Sequence, residues 1–110
     1  MMKHLTVDSQ FETLIFYFQS QLISIIVHPL GHALAAGSVN GIIYVLETST
    51  GALVAQLPIC KIAIVCLAYS PDGNLLAAGG QDGTMYLLPV FEKGFAYEKV
   101  SVLKVILMTH

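Results

Sequence analysis

The chain has 110 residues, a formal net charge of −2, 55% hydrophobic residues and only 11% charged ones. That length allows one small domain, and a charged fraction well below the roughly 25% of ordinary soluble proteins excludes intrinsic disorder. All five cations are scattered lysines (Lys3, Lys61, Lys93, Lys99, Lys104); with no arginine there is no bidentate reader of phosphate or guanine, so nucleic-acid binding is disfavoured.

In chain order, residues 1–20 form a non-repeat segment in which Asp8 and Glu12 precede the first apolar run, the reverse of a signal peptide. No Asp, Glu, Lys or Arg occurs between Glu12 and Glu47, which raises the alternative of a small membrane-associated protein. Gln19, Ser20, Gln21, Ser24, His28, Pro29, Gly31 and His32 interrupt that stretch, and its unbroken apolar pieces fall far short of the ~20 residues of a spanning helix. From there on the pattern is short apolar runs between turn residues, which reads as strands. A first set is expected at Leu22–Val27, 32–37, Ile42–Glu47 and 53–57, with turns at Pro29-Leu30-Gly31, Val39-Asn40-Gly41 and 48–51. A second set is expected at 63–69, 75–79, 85–88 and 97–103, with turns at Ser70-Pro71-Asp72-Gly73 and Gln81-Asp82-Gly83 and a looser connection over 89–94. The run 63–69 is apolar on both faces, as a strand buried between neighbouring sheets should be, and this places the Cys66 thiol in an inert interior.

The two sets are copies. A shift of 42 residues lays 29–46 over 71–88 without a gap, with nine of eighteen positions identical. Turn formers match as well as apolar residues: Pro29 with Pro71, Gly31 with Gly73, Gly41 with Gly83. In the second copy Ser70-Pro71-Asp72-Gly73 supplies a β-turn in which Pro71 presets φ and Gly73 takes positive φ, and Asp82-Gly83 is a hairpin signal echoed by Asn40-Gly41. Four strands per ~42 residues is the period of a propeller blade. The expectation is an all-β fold of two four-stranded antiparallel blades, an incomplete β-propeller, with blades at 21–61 and 62–104 and a truncated tail at 105–110.

The stretch YSPDGNLLAAGGQDGTMYLL resembles the core of a WD40 repeat, with its Ser-Pro-Asp-Gly and Asp-Gly turns before the second and third strands. Both copies carry the resemblance, the second more closely. Leu46 and Leu88 stand where the family has Trp, Glu47 and Pro89 where it has the following Asp, and Ile59-Cys60 where it has Gly-His. Of the family's buried hydrogen-bond network only Asp82 remains, with Asn40 as a weaker counterpart. The wording from HPLGHALAAG through YSPDGNLLAAGG to the long final hairpin is similar to consecutive repeats of echinoderm microtubule-associated protein-like proteins. That resemblance implies a cytoplasmic, cytoskeletal scaffold whose partner is tubulin, and it designates no contact residues.

Catalytic chemistry is not supported. His28 and His32 are separated by Pro29, Leu30 and Gly31, a turn rather than a helical face, with no third ligand beside them, so no metal site is expected. The Gly-Gly-x-x-Gly of residues 79–83 precedes a hairpin and not a helix, so it is no phosphate loop and no cofactor is implied. No serine lies in a strand-turn-helix elbow, and the carboxylates of Glu47, Asp72 and Asp82 fall at turns. Tyr44, Tyr86, Phe91, Phe95 and Tyr97 are read as packing between blades. The expected partners are other proteins and further blades, because two blades leave apolar faces bare and the chain should associate.

Overall fold

The computed structural model describes residues 22–98 and 101–104; the non-repeat segment 1–20 and the tail 105–110 lie outside the described residues. Two antiparallel sheets are stacked against one another. The first is β1 (Leu22–Val27), β2 (Ala33–Ser38), β3 (Ile42–Glu47) and β4 (Leu53–Pro58), paired in that order. The second is β5 (Ile64–Tyr69), β6 (Leu75–Gly80) and β7 (Thr84–Phe91), followed by β8 (Ala96–Tyr97) and β9 (Ser101–Lys104). Both last strands lie on β7: β8 pairs with Val90 and Phe91, β9 with residues 84–87. The second sheet therefore has five strands where four were expected, its fourth position being shared by two short ones. Among the described residues no helix is long and apolar enough to cross a membrane.

Pro89 and Val90, expected in a loose connection, belong to β7. The physical reason is register. Val90 N–H donates to the Asn74 carbonyl at 2.8 Å, which puts the bonds to β6 on the even positions of β7, so the missing N–H of Pro89 forfeits none of them. The chain turns only at Glu92–Gly94, a 3-10 turn in which Glu92 and Lys93 both have positive φ.

Strand alternation decides which side chains meet. Ala35 lies opposite Val45, and Leu34 opposite Leu46, so the first sheet has one face of Ala33, Ala35, Ile43 and Val45 and another of Leu34, Ala36, Tyr44 and Leu46. The former packs on Ile64, Leu76, Ala78, Tyr86, Leu88 and Val90 of the second sheet to form the main core. Small residues in β2 let β5 come close: a β-carbon on Gly37 would lie 2.7 Å from Ile64 Cγ2. The Ser24 hydroxyl completes this contact by donating to the Ile64 carbonyl at 2.9 Å.

A second tie between the sheets is His28, 2% exposed. Leu30 N–H donates to its Nδ1 at 3.1 Å, so the ring proton is on Nε2, which donates to the Gly73 carbonyl of the other sheet at 2.9 Å. Tyr69 meets the ring edge-on with centroids 4.9 Å apart. Gly73 has φ +76° and its missing β-carbon would lie 2.6 Å from His28 Nε2, so both conformation and space exclude a side chain there.

Gly83, with φ +90°, has open space around it, so Gly83→Val is opposed by backbone strain alone and should cost about 1–3 kcal/mol. Asp82→Ala removes an acceptor for Thr84 N–H, at 3.0 Å, and should cost about 1 kcal/mol; urea midpoints measure both, and an unchanged midpoint for Gly83→Val would refute this account of the turn. His28→Phe leaves the Gly73 carbonyl without its donor and should cost about 1–3 kcal/mol, whereas exposed His32→Phe should stay within about 0.5 kcal/mol. Equal losses at the two histidines in the same titration would remove the inter-sheet role of His28.

Candidate protein-interaction surface

The turn residues singled out from sequence are spread over four hairpins and form no cluster. Pro29 and Gly31 lie between β1 and β2, where Gly31 N–H donates to the His28 carbonyl at 2.7 Å. Asn40 and Gly41 join β2 to β3, with Gly41 N–H on the Ser38 carbonyl at 3.3 Å. Pro71, Asp72 and Gly73 join β5 to β6, and Asp82 and Gly83 join β6 to β7. Asp72 is exposed; the Ser70 hydroxyl at 2.6 Å and the Asn74 N–H at 3.0 Å donate to its Oδ1 and hold the carboxyl below its ordinary pKa. These are bonds within turns, and among the described residues no group of three His, Cys, Asp or Glu could hold a metal ion.

Ser38 was missed. Its hydroxyl, fully buried, accepts from Asn40 N–H at 3.2 Å and Ile42 N–H at 3.1 Å. In the second sheet Asp82 does the corresponding work on Thr84, so the counterpart of Asp82 is Ser38 as much as Asn40. The only signal in the sequence was a small hydroxyl two residues before a turn.

Tyr69 and Tyr97 share a hydroxyl–hydroxyl hydrogen bond of 2.5 Å. Burial, more than its partner, raises the Tyr69 pKa; burial likewise raises that of Tyr97, although the bond to Tyr69 opposes it. Both groups stay neutral, and the pair fastens the last hairpin to β5. Tyr44 and Tyr86 are buried, and Phe95 packs on the main core. Phe91 is 49% exposed and belongs to none of this packing.

Phe91 lies at one end of the surface that could bind another protein. Register puts Cys66 opposite Gly79, Ala68 opposite Ala77, Leu75 opposite Pro89 and Ala77 opposite Leu87, all on the face turned away from the first sheet. No charged side chain interrupts these positions. The expectation that Cys66 is buried is corrected: it is exposed, as are Val65 at 47% and Leu75 at 42%. The apolar pattern over 63–69 led to the expectation of cover on both faces; among the described residues only the face of Ile64, Leu67 and Tyr69 is covered.

Residues 53–87 match the family model described as WD domain, G-beta repeat, about a third of the chain. No curated protein matches the sequence. Among solved structures, Sqt1 of Chaetomium thermophilum is similar at 32% identity and TM-score 0.63, over 72% of this chain and 20% of that one. The same protein bound to the N-terminus of ribosomal protein L10 matches at 31% identity and TM-score 0.62, over 72% and 20%. Sqt1 of Saccharomyces cerevisiae, at 12% identity, gives a TM-score of 0.70 over 79% of this chain and 24% of that one, a likeness of fold alone. The chain thus spans between 20% and 24% of the length of these structures. A turn-for-turn repeat, two stacked antiparallel sheets and these likenesses agree: the chain carries a WD40 repeat and folds as two blades of a WD40 β-propeller.

Proposed function

We propose that the chain is a non-catalytic scaffold for protein–protein contact, and that the uncharged face of its second sheet is the contact surface, taking further propeller blades. One observation carries this. Leu75, Ala77, Met85 and Leu87 stand, by the 42-residue repeat, where the first sheet has Ala33, Ala35, Ile43 and Val45, the side chains with which it buries the second sheet. The open face is therefore built as one half of a blade-to-blade contact. The working units are a blade at 21–61 and a blade at 62–104. Light scattering after size exclusion should show association above the 11.9 kDa of one chain, and Leu87→Lys, which would bury a charge in the contact, should shift the population back towards one chain. A stable single chain with cooperative unfolding would overturn the reading.

For the partner, the wording of residues 28–57 and 69–104 supports tubulin and a cytoplasmic, cytoskeletal setting, while the L10 complex of Sqt1 supports an extended peptide. Microtubule co-sedimentation and fluorescence anisotropy with a labelled L10 N-terminal peptide separate the two. Saturable sedimentation with no anisotropy change supports tubulin, the reverse supports the peptide, and silence in both removes both partners.

A further inference from the structure

The contact that seats β5 on the first sheet is built a second time, on the open face of the second sheet. The first sheet steps in register between Leu22 and Ser24, which sets Ser24 opposite Gly37; the second steps between Ile64 and Cys66, which sets Cys66 opposite Gly79. A β-carbon on Gly37 would lie 2.5 Å from Ser24 Oγ, and one on Gly79 would lie 2.5 Å from Cys66 Sγ, so hydroxyl and thiol have the same seat. Over Gly37 the space is taken by Ile64, whose Cγ2 and Cβ would stand 2.7 and 3.0 Å from that carbon. Over Gly79, apart from its chain neighbours, no described residue but Cys66 comes within 4 Å. Cys66 and the adjacent Val65 are exposed.

The shape of this socket selects what can enter it. The atoms of Ile64 that reach its counterpart are the β-carbon and the methyl branching from it. A residue branched at Cβ carries that methyl close to its own backbone, so its strand can lie near; leucine branches one carbon further out and would hold the strand away. The rim differs from that of the first contact. There Ala33 lies under the turn Glu92–Gly94, and a β-carbon on Gly94 would stand 3.0 Å from that of Ala33. The repeat puts Leu75 in the place of Ala33, and its added carbons take the room of such a turn, so the second sheet of another copy does not fit. Ser70 replaces His28, and its hydroxyl is engaged within its own turn by Asp72 at 2.6 Å and Leu75 N–H at 3.0 Å.

We propose that Gly79 is the socket of the open face and selects its occupant: a blade from outside this chain whose inner strand opens on isoleucine or valine and whose final hairpin is short. This rests on the scaffold reading above and adds which blade fits.

The test uses the full chain and, as probe, a fluorescent synthetic hairpin with the sequence of residues 61–80, the part of the second sheet that carries Ile64, made with Cys66→Ser. Anisotropy follows binding, and mass spectrometry follows alkylation of the full chain by iodoacetamide at Cys66, with Cys60 as the internal reference. The expected result is saturable binding that slows alkylation of Cys66 relative to Cys60. Ile64→Val in the hairpin keeps the affinity, and Ile64→Ala weakens it by at least about tenfold. In the full chain Cys66→Ala keeps binding, and Cys66→Ala with Gly79→Ala, which fills the socket without pressing on the sulfur, loses it by at least about tenfold. No saturable binding, an unprotected Cys66, equal affinities for the Ile64→Ala and unsubstituted hairpins, or equal binding by the single and double variants would each overturn the proposal. Association reversed by Leu87→Lys, with the hairpin indifferent to Gly79 and Ile64, removes the socket and leaves the scaffold reading; a chain that stays single and binds no hairpin removes both.

Discussion

Ile64 fills the space that a β-carbon on Gly37 would occupy, and the rest of the molecule is arranged around that contact. The side chain is fully buried, worth about 2–3 kcal/mol as removal of apolar surface from water. Its larger effect is geometric. A strand can approach a sheet this closely only where the facing residues are small, and β2 supplies Ala33, Ala35 and Gly37 on the facing side. Once β5 is seated, the Ile64 carbonyl is within reach of Ser24, and the turn after β5 brings Gly73 under His28. A larger residue at position 37 would lift β5 and break both hydrogen bonds together.

The bonds at the junction tie segments far apart in sequence. Ser24 reaches forty residues ahead and His28 forty-five, and the Tyr69–Tyr97 pair draws the last hairpin across the second sheet. The His28 ring is aligned from three sides: Leu30 fixes its tautomer, Tyr69 its tilt, and the missing side chain of Gly73 leaves it room. An imidazole held in this way joins two blades through directional hydrogen bonds, so the junction gains direction without burying an ion pair.

What was legible in the sequence is what local chemistry determines. Pro71, Gly73, Asn40 and Gly83 announce their bends because φ is constrained residue by residue, and the repeat announced the two sheets because apolar residues and turn formers matched together. What escaped depends on partners distant along the chain. His28 looked like a strand end, and only the arrival of Gly73 shows why it is buried. Cys66 looked interior because its strand is apolar on both faces, yet burial depends on a second layer that its own residues cannot supply. Pro89 opens a stretch read as a loose connection, yet a proline is tolerated in a ladder where the neighbour's bonds fall on alternate positions. Ser38 was passed over because a hydroxyl before a turn is common, and what distinguishes this one is its complete burial.

The recognisable repeat, residues 53–87, begins on β4 of the first sheet and ends on β7 of the second. The unit of sequence and the unit of packing are therefore out of phase by one strand. Each copy of the repeat lends its opening strand to the sheet before it and its remaining strands to the next, so covalent continuity itself stitches one blade to another. A duplication or loss of one whole repeat would leave every strand still paired, since the strand surrendered at one boundary is replaced by the strand gained at the other. Growth by repetition is thereby tolerated at any point along such a chain, while a break placed between two sheets costs one of them its outer strand.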